Sequence, residues 1–569
     1  MLTFRALIFV HWHQLTPTEE SYFEACGIGS PSKVVKDLAL ADLSRMECVM
    51  QRFLIVLQAE KLGVAASLLS GIFYFLGFCG FGLDYFVWIS LVPWLVWYQW
   101  RRPSRRVAMA TGWLAGFTAH LGGYYWITYM LENFGHLPPI VAYFLYALLC
   151  VAQSSLFGLW GYLTQWFETR GLPLWLAASA TMPVLEWLNP AIFPSYLANG
   201  LYKRLGLIQS AEIWGVIGLT LVAMLVNTAI ATIIGANLTQ EIEARKQQKY
   251  VAVCAVVFFI MNASWGQFAL EATRTTTQSP EILNKVIKVG SVQSNMGIFE
   301  KRQQPTEGHR RHLALSRELE AKGADLIVWP ESGYFFPLRR GRTNLKARVS
   351  QDLSTPLIFG GVSFDRDKNG KNQKIWNTAY LIDGKGEVLG TYDKTYLLAF
   401  GEYIPFGDWF PFLYKLSPNT GSFTRGNHTK PLVHNDTKYG ILICYEDILP
   451  NFVLDVMEEK PNVLINITND AWFGDTHEPI IHLALSTFRS VEHRRYLVRS
   501  TNTGISAVIA PTGEITHQTG TFTQETLLAA IYPLEIETFY SKFGNWLGWL
   551  LLLGLSGFAL RHRSTKPQS

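Results

Sequence analysis

Charge is what this sequence has least of. Asp, Glu, Lys and Arg make up 16% of its 569 residues, against 49% hydrophobic residues. About 25% charged is usual for a soluble chain, so a protein that is water-soluble along its whole length is excluded. The shortage is uneven. Residues from about 60 to 270 are nearly charge-free over long runs, whereas roughly 280–535 has ordinary soluble composition. Cysteine is also scarce: Cys26, Cys48, Cys79, Cys150, Cys254 and Cys444. None forms a CxxC or a paired spacing, which excludes a zinc ribbon and a disulfide framework. His477-Glu-Pro-Ile-Ile-His482 is not HExxH, because the second histidine comes one residue late and Pro479 intrudes. His11-Trp-His13 reads as incidental. Neither metal nor cofactor is expected. The net charge of +5 is small, and the basic residues flank apolar runs, so they speak of topology and not of nucleic acid.

What is present is apolar length. Runs at about 62–80, 84–100, 107–131, 139–165, 172–190, 209–236, 250–270 and 543–560 are each near or above the ~20 residues that a bilayer requires. They read as eight candidate spans. Arg101, Arg102, Arg105 and Arg106 follow the second, Arg170 the fourth, Arg245, Lys246 and Lys249 the sixth, and Arg561, Arg563 and Lys566 the eighth. All fall on one side if the N-terminus does too, and the positive-inside rule makes that side cytoplasmic. Lys203 and Arg204 are the exception. The polar stretch between spans seven and eight is thereby expected outside the cytoplasm. Glu186, inside the fifth run, is either a functional intramembrane carboxylate or one held by a neighbour or a lipid headgroup.

The domain plan follows. Residues 1–50 form an N-terminal extension that fits neither part, with Glu19, Glu20, Glu24, Lys33, Lys36 and Asp37 in it. Its apolar 4–12 is too short to span and lacks a signal-peptide cleavage site. Two readings stand: a cytoplasmic extension, or a start placed upstream of a true Met46 or Met50. A seven-span membrane domain over 51–272 follows, then a globular domain over 280–535, a transmembrane helix over 543–560 and a cytoplasmic tail over 561–569.

In the globular part, 285–292, 325–329, 356–362, 378–383, 439–444, 463–468 and 505–510 read as strands. Residues 306–322 and 482–495 read as helices, the first stopped by Gly323. Unbroken apolar strands imply a sheet buried on both faces, hence a layered α/β domain. Three polar residues follow such strands or turns: Glu331 after Leu326-Ile-Val-Trp-Pro, Lys394 in Gly390-Thr-Tyr-Asp-Lys394, and Cys444 at the end of Tyr439-Gly-Ile-Leu-Ile-Cys444. A thiol needs a base, which a carboxylate supplies. A lysine lowers a thiol pKa and stabilises an oxyanion, and the N–H of Tyr445 is a candidate second donor. Singly, each has a plainer reading: a small buried hydrophobe, a surface charge and a loop start.

The surrounding words are more specific. WPES at 329–332, YDKTYLLAFGEYIPF at 392–406, CYED at 444–447, NITNDAWFG at 466–474 and RSTNTGISAVI at 499–509 occur in this order. Together they resemble the nitrilase superfamily. With apolar spans on both sides, 62–560 resembles its membrane-embedded apolipoprotein N-acyltransferase family. The resemblance implies an αββα sandwich on the periplasmic side of a bacterial inner membrane, joined to a multi-span α-helical domain. It implies Glu331 as general base, Lys394 as oxyanion-stabilising lysine and Cys444 as nucleophile. Glu402 matches a second site glutamate, and Tyr445 and Glu446 match positions that the family needs beside the nucleophile. The implied reaction is ping-pong: acyl transfer from the sn-1 position of a phospholipid to Cys444, then to the α-amine of diacylglyceryl-modified apolipoproteins, the last step of lipoprotein maturation. The implied partners are phospholipid, apolipoprotein and the bilayer, with no cofactor and a monomer. One departure stands out. The family reads QxNI and then Lys-Trp; here Gln293-Ser-Asn-Met296 precedes Phe299-Glu-Lys301-Arg302, and the Trp is absent, with Phe299 as a substitute or the contact different.

Further expectations concern access and alternatives. Residues 397–426 hold Phe400, Tyr403, Phe406, Trp409, Phe410, Phe412 and Tyr414, which suggests an arm dipping into the outer face of the bilayer or satellite core packing. The same pair of readings applies to Tyr334-Phe-Phe-Pro337. Arg494, Arg495 and Arg499 read as solvated charges or as headgroup contacts. The same triad would also serve a membrane-tethered amidohydrolase, and a transporter with a degenerate domain is the non-enzymatic alternative.

Overall fold

The apolar runs become helices, and their lengths decide what each can do. The computed structural model describes residues 61–562 apart from 191, 240–241, 367–372, 400, 405–406, 408, 411 and 413–420. The side chains of 238–239, 242–247, 298–299, 302, 366 and 373 lie outside the described set as well. The expectations for residues 1–50, for Arg245, Lys246, Arg563 and Lys566, for the side chain of Phe299, and for Phe400, Phe406 and Tyr414 therefore fall outside the described residues. From Ala65 onward the chain is one unit, and of the unit Met1–Val64 only the start of the first helix is described.

Among the described residues, Pro139–Glu168, Ala211–Asn237 and Gln248–Thr277 are long and apolar enough to cross a membrane. Lys61–Gly77, Leu174–Leu188 and Trp546–Arg561 are shorter apolar helices. Residues 84–100 do not form one helix. A 3-10 turn, Asp84–Trp88, precedes the ten-residue helix Val92–Arg101, whose Pro93 stands in its first turn, where a missing N–H costs nothing. Arg204, an exception to the charge pattern, pairs with Asp84 at 2.5 Å. Glu186 is anchored within the helical part. Its carboxylate accepts the Leu197 N–H and the Thr220 hydroxyl, both at 2.7 Å, so it holds the turn Leu197–Leu201 against the helix Ala211–Thr239.

Among the described residues, the globular part holds thirteen strands in two sheets. The first runs β13-β1-β2-β4-β5-β6, with β3 also paired to β4. These are β1 Ile287–Gln293, β2 Leu326–Val328, β3 Tyr334–Arg339, β4 Leu357–Arg366, β5 Gln373–Ile382, β6 Val388–Asp393 and β13 Glu525–Ile531. The second runs β12-β11-β10-β9-β8-β7: β7 Leu432–His434, β8 Thr437–Ile443, β9 Val463–Thr468, β10 Tyr496–Thr501, β11 Ala507–Ile509 and β12 Ile515–Gln518. In the second sheet β8, β9 and β10 are parallel neighbours with every apolar side chain buried, as a sheet covered on both faces demands. Polar bonds join the sheets: Ser500 Oγ of β10 donates to the Val328 carbonyl of β2 at 3.0 Å. Helix α1, Pro305–Ala321, packs on the first sheet. Helices α2, Pro450–Glu458, and α3, Glu478–His493, pack beside the second. The result is an αββα sandwich.

Two sequence expectations change here. Tyr334-Phe-Phe-Pro337 is not an arm: it opens strand β3, and Tyr334 is buried among His309, Phe336 and Phe359. Arg494, Arg495 and Arg499 are neither solvated nor aimed at headgroups. All are buried, Arg495 on the carbonyls of Pro461 and Ile536 and Arg494 on Glu212, Gln209 and the Pro511 carbonyl.

The helical part docks on α3 through a break in the helix Ala211–Thr239. Gly215 adopts φ 69, a conformation that glycine tolerates without a Cβ clash. Its Cβ would also meet the Tyr540 ring at 2.6 Å. The break frees the Val216 N–H, which donates to Glu492 of α3 at 3.2 Å.

Candidate active site

The three strand ends converge. Cys444 follows β8 directly and has φ 55, a strained left-handed backbone for a non-glycine residue. The chain turns at once into the 3-10 segment Cys444–Ile448. This elbow is fixed by buried bonds. Asn466 of β9 donates to the Cys444 carbonyl at 2.9 Å, and Arg499 of β10 donates to Asn466 Oδ1 at 3.0 Å. Glu446, fully buried, accepts the Ile443 N–H at 2.8 Å and the Tyr392 hydroxyl at 2.9 Å. Its other oxygen accepts the N–H groups of Thr395 and Tyr396 at 2.7 and 2.8 Å. One carboxylate thus ties the segment after Lys394 to the segment around Cys444. Burial raises Glu446 to about 7, against the pull of the Tyr396 and Ile443 N–H groups.

Glu331 lies three residues past β2. Gly360 of β4 is backed so closely against it that a Cβ there would stand 2.8 Å from the Glu331 Cα. Lys394 follows β6, its N–H bonded to the Asn377 carbonyl and its carbonyl to the Gly426 N–H, both at 2.8 Å. Lys394 Nζ stands 2.8 Å from Glu402 Oε2 and 3.7 Å from Glu331 Oε1. The Asn377 side-chain amide of β5 donates to both carboxylates, at 2.7 Å to Glu331 and 3.1 Å to Glu402. The Leu398 N–H donates to Glu402 Oε2 at 2.9 Å. The structure therefore gathers Glu331, Lys394, Glu402 and Cys444 into one buried cluster, with Tyr445 and Glu446 on the elbow beside it. Asn377 belongs to this cluster too. It sits in no recognisable motif, and only its place on a strand next to the Lys394 strand could have drawn attention to it.

The electrostatics suit proton transfer. Burial pushes the Cys444 thiol well above its usual range; Glu331 adds to that, and Lys394 opposes it. The thiol is therefore neutral at rest and needs a base. Burial also raises the Glu331 carboxyl, with Lys394 pulling it down and Glu402 pushing it up. Burial alone would lower the Lys394 ammonium, but Glu402 first, then Cys444 and Glu331, hold it above its ordinary value. With a neutral thiol beside them, the Glu331 carboxylate can take the thiol proton and the charged Lys394 can donate to the oxyanion of a tetrahedral intermediate.

A narrow cavity opens on Cys444 and Tyr445. Apolar side chains of the helical part line its other side, among them Phe78, Trp126 and Phe193. Tyr445 meets Phe193 edge to face at 6.2 Å. In the 397–426 stretch, Trp409, Phe410 and Phe412 are 76%, 50% and 56% exposed, which is unlike core packing. The QxNI counterpart forms a turn, with Asn295 at φ 49 and the Met296 N–H and carbonyl both held by Asn502. Phe299 lies in the helix Ile298–Gln303 that follows.

Residues 288–539 match the carbon-nitrogen hydrolase family, and residues 70–229 match the apolipoprotein N-acyltransferase N-terminal domain. Among curated relatives, the apolipoprotein N-acyltransferase of Geobacter metallireducens is 30% identical over 518 residues, covering 88% of this chain and 96% of that one. That of Bdellovibrio bacteriovorus is 30% identical over 501 residues, covering 80% and 86%. Among solved structures, the carbon-nitrogen hydrolase of Helicobacter pylori G27 covers 43% of this chain and 89% of its own at 15% identity, with a TM-score of 0.32. Nit3 of Saccharomyces cerevisiae covers 50% and 97% at 17% identity, with a TM-score of 0.34. Matches on both the helical and the sandwich part, carried by relatives aligned over nearly their whole length, place this membrane protein in the apolipoprotein N-acyltransferase family.

Proposed function

We propose that this chain moves an acyl chain from the sn-1 position of a phospholipid to the α-amine of the S-diacylglyceryl cysteine of an apolipoprotein, through a thioester on Cys444. One observation carries the reading: Cys444 and Tyr445 line a cavity to which the helical part contributes the apolar side chains of Phe78, Trp126 and Phe193. A lipid donor needs such a lining. The reaction then runs in two halves. Glu331 takes the Cys444 proton as the sulfur attacks the ester carbonyl; Lys394 and the Tyr445 N–H receive the oxyanion. Collapse breaks the ester C–O bond, Glu331 protonates the leaving alkoxide, and a lysophospholipid departs. In the second half the acceptor amine attacks the thioester carbon, a C–N bond forms and the C–S bond breaks. The amine proton passes through Glu331 back to the Cys444 sulfur. Glu402 and Asn377 hold Lys394 and Glu331 in position, and Glu446 fixes the two loops that carry Lys394 and Cys444.

The domain plan belongs to the same proposal: membrane helices within 51–272, a catalytic domain over 280–535 and a returning helix at 543–560. The positive-charge pattern supports a catalytic domain on the periplasmic face of an inner membrane, and a sandwich flanked by membrane helices on both sides supports a monomer. The test is direct. Purified protein is incubated with acyl-labelled phospholipid, and Cys444 is examined for a thiol-sensitive adduct. Label on Cys444 with an equivalent of lysophospholipid is expected. Absence of both, with ammonia released from small amides, would assign the site to amide hydrolysis instead.

A further inference from the structure

Behind the elbow, five more ionisable side chains are buried together: Asp447, Asp470, Glu478, His482 and Arg499. Four of them are bonded to one another. Arg499 donates to Asp447 Oδ2 at 2.7 Å and to Asp470 Oδ2 at 3.0 Å. His482 Nε2 lies 2.9 Å from Asp447 Oδ1, and its Nδ1 lies 3.0 Å from Asp470 Oδ1. Both ring nitrogens face carboxylates, so the ring is an imidazolium, and two cations meet two anions. Glu478 is left over, and Arg499 Nε too has no partner among the described residues. Glu478 Oε1 stands 3.9 Å from His482 Nδ1, beyond hydrogen-bond reach, and Glu478 Oε2 has no partner among the described residues. The Glu478 side chain is only 8% exposed.

Donor atoms of Asp470, Glu478 and His482 come within 4.8 Å of one another, but a metal is a poor fit, because neither imidazole nitrogen has a lone pair to offer. Glu478 also lines the cavity on Cys444, together with Cys444, Tyr445, His482 and the apolar side chains of the helical part. A buried carboxyl oxygen without a donor among the described residues, on a side chain that lines the cavity, is open to a cation.

We propose that Glu478 is the cation-receiving carboxylate of the acceptor subsite, pairing with the α-ammonium of the incoming diacylglyceryl cysteine and taking the first of its two protons. This rests on the acyl-transfer reading above and adds a residue to it. The ammonium passes one proton to Glu478, which leaves a neutral amine. The amine lone pair attacks the Cys444 thioester carbon, the second proton goes to Glu331, and collapse of the intermediate forms the amide and releases the Cys444 thiolate. Glu331 then reprotonates the sulfur, and Glu478 gives its proton to solvent as product leaves. Burial first, and then the Asp470 charge, lift the Glu478 carboxyl well above its usual range, and the positive charge of an arriving ammonium favours its ionised form. The arrangement also favours an amine over the neutral hydroxyl of the departing lysophospholipid, which would otherwise reverse the first half.

The test separates the two halves in full-length protein embedded in phospholipid nanodiscs. In Glu478→Gln, labelled thioester still accumulates on Cys444, and hydroxylamine, a neutral nucleophile, discharges it at the wild-type rate. The KM for a synthetic diacylglyceryl-cysteine peptide rises about tenfold or more, the scale of one lost charge-assisted contact, and Glu478→Asp recovers part of it. An unchanged peptide KM in Glu478→Gln overturns the proposal. If that variant does not fold, the wild type decides. A peptide with its α-amine replaced by hydroxyl should compete roughly tenfold or more weakly than the amine peptide, and equal competition overturns the proposal. If wild-type Cys444 takes up no acyl label, the acyl-transfer reading fails and this proposal falls with it.

Discussion

Lys394 Nζ lies 2.8 Å from Glu402 Oε2, nearer than to Glu331, so the resting ion pair of the site is Lys394 with Glu402. The pairing matters because a lysine satisfied by Glu402 leaves the Glu331 carboxylate more basic than a lysine that leans on Glu331 alone. In Glu402→Gln, Lys394 is left with Glu331 as its one carboxylate partner, and Glu331 becomes a poorer base. Formation of acyl-Cys444 should slow by about a hundredfold, the lower range of what a general base contributes. Rapid-quench measurement with labelled phospholipid reads this directly. A wild-type acylation rate would mean that Glu402 does not govern the base.

In the proposed reaction Glu331 must be ionised to accept the thiol proton, and burial raises its carboxyl above the ordinary range. The acylation rate should therefore climb with pH along a limb whose apparent pKa lies above the ~4.3 of a free glutamate. In Glu402→Gln that limb should move to lower pH, since the like charge that raises Glu331 is gone. Single-turnover rates across the pH range measure both. A wild-type limb at or below about 4.3 would remove Glu331 from the role of base.

The sequence yields the site more readily than the frame that holds it. Leu326–Val328 and Thr437–Ile443 are legible because strands buried on both faces carry unbroken apolar runs, and the polar residues past their ends stand out. Strand Tyr496–Thr501 is hidden for the opposite reason. Arg499 interrupts its apolar run, and the partners that make a buried arginine tolerable, Asp447 and Asp470, lie on other elements. Asn377 is a single polar residue on a strand, and its meaning comes only from the two carboxylates that folding brings to it. The run 84–100 is apolar enough to suggest a span, yet the chain turns at Asp84–Trp88 and again before Val92. Composition measures apolar length, not where the backbone bends.

The His482 cluster predicts a stability profile with two limbs. Burial and Arg499 would lower His482, but Asp447 and Asp470 together hold it up at about 10. Burial would raise Asp470, but Arg499 and His482 bring it down to about 2. Unfolded values are about 6.5 and about 3.9. The histidine contribution is thus full below about pH 6.5 and is lost as pH rises toward 10. The aspartate contribution is full above about pH 3.9 and is lost as pH falls toward 2. In His482→Gln the alkaline limb should disappear, so its Tm deficit against wild type should be largest near pH 6 and shrink toward pH 9.5, ~3 units higher. Melts in detergent by intrinsic fluorescence follow this, and a constant deficit would show that His482 is neutral in the fold.

Trp409 and Phe410 are 76% and 50% exposed in the structure, in the stretch that follows Lys394 in sequence. Large aromatic side chains at such a position prefer the membrane interface, where they would hold the arm down and keep the entrance open to lipid. The double variant Trp409→Ser, Phe410→Ser should therefore lose acylation from phospholipid in bilayers by about tenfold or more, since each aromatic contributes on the order of a kcal/mol of interfacial burial. With short-chain phospholipid dispersed in detergent, where no bilayer has to be engaged, the same variant should acylate Cys444 near the wild-type rate. Comparing the two donors isolates membrane access from chemistry. Equal losses on both would mean that these side chains support the site itself, and no loss on either would remove the arm from the path of the lipid.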